Sequence, residues 1–239
     1  MKNVAIILAG GTGSRVGENC PKQFINIAGR TVIEHTVDAF ERCDMIDEIA
    51  VVMHPMWVDK MNEIVAKNRW KKLHKVLSGG KERYMSTVSA IKAYCDGDEC
   101  NMIFHDAARP LVSNRIICDV VHTLEKYDAV GVAVRVTDTM FVVKNDTVIS
   151  VPDRNTMYRA QTPQAFKLSV IKKAYDLALA DSNITSTDDC GTVVHYMPNV
   201  SIRMVEGDEQ NIKLTYNEDI ETIEHRITYR MKDSTNNNN

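Results

Sequence analysis

Apolar residues along this chain fall into short solid runs, separated by stretches in which they recur every three to four positions. Residues 4–8, 48–53, 102–105 and 129–134 are runs of strand length with little polar alternation, as expected of strands buried on both faces, and 74–77 reads as a further short strand. Between them, 31–40, 57–68, the stretch from the 78–83 turn through Ala93, and 114–126 carry helical spacing, with Thr31 placed to cap the first. Strands alternating with helices predict a doubly wound, mostly parallel sheet, whose ligands sit beyond the carboxyl ends of the strands. The first strand ends in Ala9-Gly10-Gly11, the third in Gly79-Gly80, and the fourth in Asp106 and Arg109. These ends are expected to converge on one crevice.

The rhythm changes after Val134. Residues 139–143 and 147–151 read as a β-hairpin about Lys144-Asn145-Asp146, too small for a core of its own and therefore destined to lie on its own domain or on another subunit. Asp153-Arg154 and Gln161-Thr162-Pro163-Gln164 close this excursion. A helix over 168–180 follows, Thr187-Asp188-Asp189 caps another, 201–205 is a strand, and the last helix runs to about Arg230. One domain over 1–232 results, with an arm at about 137–160 and a frayed, disordered tail at 233–239.

Composition narrows the classes. Of 239 residues, 44% are hydrophobic and 26% charged, the balance of a soluble globular protein. A formal charge of −3 gives no basic field for nucleic acid, and no apolar run approaches the ~20 residues of a membrane span. The first strand follows Met1-Lys2-Asn3 directly, which does not read as a signal peptide. Six scattered cysteines without C-x-x-C spacing read as reduced cytoplasmic thiols.

The chemistry concentrates at the first glycine loop. Gly10, Gly11 and Gly13 let backbone approach a ligand, consecutive N–H groups in such a turn form an anion-binding concavity, and Arg15 and Lys22 add two cations. A P-loop is excluded because no Gly-Lys-Ser/Thr follows, and the dinucleotide fingerprint fails because Val16 stands where a small residue is needed. A polyphosphate site remains. Asp106, directly after a buried strand, suits a hard cation such as Mg²⁺ whose shell is completed by phosphate oxygens. Lys213 and Arg154 taken singly would be solvated surface cations. A triphosphate and a second phosphate bring about six negative charges together, which calls for a metal and several cations. Arg15, Lys22, Lys213 and Mg²⁺ on Asp106 would suffice.

With these residues in place the chain resembles the cytidylyltransferases that act on alditol or methylerythritol phosphates. The motifs are the glycine loop, PKQF (21–24), GGKER (79–83), HDAARP (105–110), AQTPQAF (160–166) and VEGDEQNIKLT (205–215), in that order over nearly the whole chain. The resemblance implies a Rossmann-like nucleotidyltransferase fold with a projecting β-arm, and a homodimer in which the arm reaches into the partner's site. It further implies that Ala9, Gly10 and Gly11 embrace the nucleotide, and that Arg15 and Lys22 contact its triphosphate and the transition state. Gly80 and Ser86 would read cytosine, with Arg83 supporting their turn. Asp106 would hold Mg²⁺ and face the acceptor, with Arg109 on the substrate side. Thr139 and Arg154 of the neighbouring arm would grip the acceptor phosphate, with Thr162 and Thr187 nearby, and Lys213 would bind phosphates at the reacting centre. Lys81 departs from the acidic residue that many methylerythritol enzymes carry near the ribose.

The implied reaction is Mg²⁺-dependent transfer of CMP from CTP to a polyol phosphate, in the cytoplasm, without nucleic-acid or membrane partners. Leu8-Ala9-Gly10-Gly11, the runs 27–29, 46–49 and 79–83, and Cys190 look like the ribitol 5-phosphate enzymes of capsule and teichoic-acid synthesis. Asp106-Ala107-Ala108-Arg109 and Asp153-Arg154-Asn155 look like the methylerythritol 4-phosphate enzymes of isoprenoid synthesis, the alternative acceptor. A non-catalytic nucleotide-binding regulator on the same fold is the rival from another class; it would tolerate loss of Arg15, Lys22, Asp106 or Lys213, and all four are present.

Overall fold

Strand β1 (Lys2–Ala9) is an interior strand of a seven-stranded sheet and carries no polar side chain beyond Asn3. The structure is a computed structural model and describes residues 1–11, 21–184 and 188–236. After β1 come the two-residue strands β2 (Asn26–Ile27) and β3 (Arg30–Thr31), then α1 (Val32–Glu41), β4 (Glu48–Met53), α2 (Val58–Lys67), β5 (Leu73–Ser78) and α3 (Arg83–Tyr94). The chain continues through β6 (Cys100–Asp106), α4 (Asn114–Leu124), β7 (Ala129–Arg135), β8 (Val142–Lys144), β9 (Thr147–Ser150) and β10 (Tyr158–Lys167). It ends with α5 (Leu168–Ala180), α6 (Asp189–Tyr196), β11 (Ile202–Glu206) and α7 (Glu218–Asn236).

The sheet order is β11-β7-β10-β6-β1-β4-β5, and every neighbouring pair is parallel except those that β10 makes. Alternate side chains of β1 serve the two faces. Ala5, Ile7 and Ala9 pack with Ile33, Val37 and Phe40 of α1 and the apolar stripe of α4, while Val4, Ile6 and Leu8 share the opposite core with α3 and α5. Helices therefore cover both faces, which is why the strands read as solid apolar runs. A third, smaller cluster joins Ile223 and Ile227 of α7 to Ile27, Ala108, Leu111 and Leu214, and so seats the segment before α7 on the loop after β6.

Three features depart from the sequence reading. The 161–164 stretch does not merely close the arm excursion: it lies inside β10, a ten-residue strand antiparallel to β6 and β7. Pro163 is tolerated there because the pairing with β7 shifts register between Gln161 and Gln164, a bulge at which a missing N–H breaks no ladder bond. The hairpin is shorter than expected, Val142–Lys144 against Thr147–Ser150, turning on Asn145 and Asp146 at φ of 49° and 57°, as a two-residue type I′ turn requires. The last helix runs beyond Arg230, since α7 continues to Asn236; no Gly or Pro follows Arg230 to stop the ladder. No described helix is long and apolar enough to cross a membrane.

At the amino ends of the strands, opposite the glycine loops, Glu48 is buried and accepts hydrogen bonds from Lys2 Nζ (2.5 Å) and the Tyr94 hydroxyl (2.5 Å). Burial alone would raise its pKa; the bonds from Lys2 and Tyr94 outweigh burial and leave it below the ordinary 4.5. The folded state thus binds the Glu48 proton less readily than the unfolded chain, so this contribution is complete above about pH 4.5 and is lost as pH falls through the folded value. Glu48→Gln is expected to flatten the acid limb of urea-unfolding midpoint against pH, and a variant whose acid limb is as steep as that of the wild type would contradict this.

Candidate active site

The carboxyl ends of four neighbouring strands are level: Ala9 pairs with Met53, Met53 with Ser78, and Leu8 with Asp106. The chain leaves β1 for strands on either side of it, and a crevice opens at such a switch point. It holds about 360 Å³ and is lined by Ala9, Gly10, Gly11, Lys22, Arg83, Ser86, Asp106 and Lys213 among others.

Its glycine wall is held from behind. Gln23, buried in the short 3₁₀ turn Lys22–Phe24, donates from Nε2 to Ala9 O (3.0 Å) and Gly11 O (3.3 Å), fixing the exit of β1. Ser86, in the first turns of α3, projects between the two glycine segments. A Cβ on Gly10 would lie 2.5 Å from Ser86 Oγ and one on Gly79 would lie 2.6 Å from it, so a side chain at either position would force the Ser86 hydroxyl to turn away. Ser86 Oγ is buried and has no hydrogen-bond partner among the described residues. A hydroxyl left thus is costly unless a ligand satisfies it.

The opposite wall is built on Asp106, the last residue of β6. Its Oδ2 lies 2.8 Å from Lys213 Nζ and 3.6 Å from Arg109 Nε, and its Oδ1 lies 3.9 Å from Arg83 Nε. Burial by itself would raise the Asp106 pKa, but Lys213, then Arg83 and Arg109, hold the carboxyl well below the usual carboxylate range. Arg83 is in turn bonded to buried Asp189 at 2.8 Å, and that carboxylate and Asp106 keep the guanidinium charged against its own burial. Lys22 Nζ donates to Leu214 O (2.9 Å), Leu214 N donates to Ala108 O (2.8 Å) and Arg109 Nη1 donates to Asn211 O (2.7 Å). These bonds tie the segment bearing Lys213 to both the first loop and the Asp106 loop.

Behind Asp106 lies a buried polar chain. The Asp106 N–H donates to Thr162 Oγ1 (3.1 Å), and His105 Nε2 lies 3.1 Å from Arg109 O. A carbonyl only accepts, so Nε2 carries the proton and the Thr162 hydroxyl donates to His105 Nδ1, at 3.0 Å. Burial pushes the His105 pKa down to about 4, so the ring is neutral at neutral pH and this bonding pattern is maintained.

The expected residues sort as follows. Ala9, Gly10, Gly11, Lys22, Arg83, Ser86, Asp106 and Lys213 meet at one cleft; Gly80 flanks it, and its carbonyl stands 4.0 Å from where a Cβ on Gly10 would be. Arg109 and Thr162 touch Asp106 from behind. Thr139 and Arg154 are exposed on the arm and do not line the cleft of their own chain. Arg15 and Thr187 lie outside the described residues. Sequence reasoning missed Gln23, His105 and Asp189 as parts of the site. Gln23 and His105 stand inside quoted motifs, but nothing local in the sequence marks Asp189.

Glycine-lined strand ends facing a cationic wall are the architecture of the α/β nucleotidyltransferases, and a solved structure bears out that class. The crystal structure of 4-diphosphocytidyl-2C-methyl-D-erythritol synthase from Anaerococcus prevotii superposes with a TM-score of 0.82 at 29% identity, covering 95% of this chain and 96% of that one. The chain belongs to the 2-C-methyl-D-erythritol 4-phosphate cytidylyltransferase (IspD) family, whose model matches residues 3–228. It is 46% identical over 217 residues to the bifunctional ribulose 5-phosphate reductase/CDP-ribitol pyrophosphorylase Bcs1 of Haemophilus influenzae, a match covering 90% of this chain and 46% of that longer protein. It is 42% identical over 226 residues to the 2-C-methyl-D-erythritol 4-phosphate cytidylyltransferase of Thermobifida fusca, covering 92% of this chain and 91% of that one.

Proposed function

We propose that this chain transfers CMP from CTP to D-ribitol 5-phosphate, or a close straight-chain alditol phosphate, releasing pyrophosphate and forming CDP-ribitol. The observation that carries cytidylyl transfer is the pairing of the two walls. An unsatisfied Ser86 hydroxyl between Gly10 and Gly79 suits a nucleobase edge, and Lys22, Arg83 and Lys213, which line the cleft with Asp106, suit phosphates. An oxygen of the acceptor phosphate attacks the α-phosphorus in line; the new P–O bond forms as the bond to the pyrophosphate oxygen breaks, with no covalent enzyme intermediate. Arg15, Lys22 and Lys213 stabilise the charge that builds on the phosphoryl oxygens, where one well-placed donor is worth roughly 10²–10³-fold in rate. Arg83 and Ser86 hold the nucleotide, with Gly80 beside them, while Arg109, Thr162 and Thr187 support the acceptor side.

Mg²⁺ fits this donor set. Among the described residues no group of three or more His, Cys, Asp and Glu side chains is arranged to cage a metal. Asp106 lines the cleft, its Oδ1 having only a long contact among the described residues, and Mg²⁺ characteristically takes one or two carboxylates together with substrate phosphates. When bound there it supplies charge neutralisation on the triphosphate.

The acceptor choice rests on the ribitol-like loop Leu8-Ala9-Gly10-Gly11 and on 46% identity to a CDP-ribitol pyrophosphorylase, against 42% to a methylerythritol enzyme. The second reading, 2-C-methyl-D-erythritol 4-phosphate, is favoured by the HDAARP and Asp153-Arg154-Asn155 segments and by the family description. The two acceptors differ by a branching methyl and chain length, which a pocket distinguishes by only ~1–3 kcal/mol. The deciding experiment compares kcat/KM with CTP for ribitol 5-phosphate, arabinitol phosphate and methylerythritol 4-phosphate. The highest value is expected with ribitol 5-phosphate. A methylerythritol value tenfold above both alditols would overturn the choice of acceptor, and no pyrophosphate release with any of them would favour the non-catalytic regulator.

The arm supports a homodimer. Phe141, Val143, Val148, Ile149 and Val151 are all more than half or nearly half exposed, an apolar patch that a solitary chain does not keep in water. Seated on a second copy, the arm carries Thr139 and Arg154 into the partner's cleft, where they grip the acceptor phosphate. Mixing inactive Arg154→Ala and inactive Lys22→Ala protomers is then expected to restore activity, because one site of each heterodimer has both native residues. Verified heterodimers without recovered activity would place Arg154 outside the partner's site.

A further inference from the structure

We infer that Asp189 is a positioning residue that acts through Arg83 on nucleotide binding; the inference rests on the cytidylyltransferase reading above. Asp189 is fully buried in the first turn of α6 and does not line the cleft. Its Oδ2 accepts from Arg83 Nη2 at 2.8 Å, and its Oδ1 accepts from the Thr87 hydroxyl at 2.9 Å and the Tyr175 hydroxyl at 2.7 Å. Partners on α3 and α5 therefore lock the carboxylate from two sides. Arg83, Ser86 and Thr87 stand at i, i+3 and i+4 in the first turns of α3, so they share one face of that helix. By holding Arg83 and Thr87, Asp189 fixes the turn from which Ser86 projects.

The guanidinium has two carboxylates within reach. Arg83 Nε is 3.9 Å from Asp106 Oδ1, but the short bond goes to Asp189. Two consequences follow from that division. Among the described residues, Asp106 keeps one oxygen with only a long contact, and Arg83 Nη1 is buried without a hydrogen-bond partner. A buried guanidinium N–H without a partner is costly, and on a side chain lining a nucleotide cleft it is satisfied by an acceptor atom of the bound nucleotide. Without the negative charge of Asp189, the nearest anion for Arg83 is Asp106, and closing that 3.9 Å gap would draw the donor away from the nucleotide.

A carboxylate that merely clamped α6 to α3 would affect stability and nothing else. The test compares wild type with Asp189→Asn, which preserves shape and removes charge. It measures CTP affinity by calorimetry, KM for CTP and for the acceptor, and melting temperature. Asp189→Asn is expected to weaken CTP binding about tenfold while leaving the acceptor KM within about twofold, and in an Arg83→Gln background it should weaken CTP binding no further. Unchanged CTP affinity with a lowered melting temperature would reduce Asp189 to a clamp, and a further tenfold loss in the Arg83→Gln background would show a route other than Arg83. Should Asp189→Asn not fold, Tyr175→Phe removes one bond to the carboxylate and leaves both charges in place. It is expected to weaken CTP binding about threefold, and an unchanged affinity overturns the inference. Wild type that binds no CTP overturns the cytidylyltransferase reading together with this inference, whereas wild type and Asp189→Asn binding CTP equally overturns this inference alone.

Discussion

A carboxylate buried at the end of a central strand is the constraint on which the rest of this molecule depends. An ionised Asp106 in the interior is tolerable only when opposite charge is brought to it. The chain brings three cations from three places: Arg83 from the start of α3, Arg109 from the loop after β6, and Lys213 from the segment before α7. Each needs its own backbone held, and much of the loop structure does that. Leu214 N on Ala108 O, Lys22 on Leu214 O and Arg109 on Asn211 O are bonds between segments more than 100 residues apart in sequence. Among the residues lining the cleft, Lys22, Lys81, Arg83 and Lys213 stand against Glu82 and Asp106, a surplus of two positive charges that a phosphate-rich ligand would neutralise.

The layout of the fold was legible because parallel strands covered on both faces must be apolar throughout, and residues 4–8, 48–53 and 102–105 are. The positions of Gly10, Gly79 and Asp106 at the ends of those runs then located the cleft, since register is what levels the strand ends. β10 escaped because Pro163 and the polar Gln161, Thr162 and Gln164 read as loop; its strand character comes from pairing with neighbours on both sides, a tertiary fact. Asp189 escaped for the same kind of reason. Its partners Arg83 and Thr87 are 106 and 102 residues away, and an Asp near the start of a helix looks like an ordinary cap. His105 looked like one more residue of a strand, and only the Thr162 and Arg109 contacts show that it orders the Asp106 backbone.

Family membership and geometry constrain different parts of the function. Membership in a cytidylyltransferase family bears on the nucleotide and the reaction class, and the cleft supplies a physical basis for both. The acceptor depends on the arm of a second copy in the dimer we propose, so one chain displays only half of that site. The claim that everything else is arranged about the Asp106 charge is the central one. It is tested most directly by measuring CTP-dependent pyrophosphate release by Asp106→Asn beside the wild type, with folding checked by melting temperature and circular dichroism. The isosteric amide is expected to keep the fold and to lose at least ~10²-fold in turnover; a folded Asp106→Asn protein within about threefold of wild type would contradict the account.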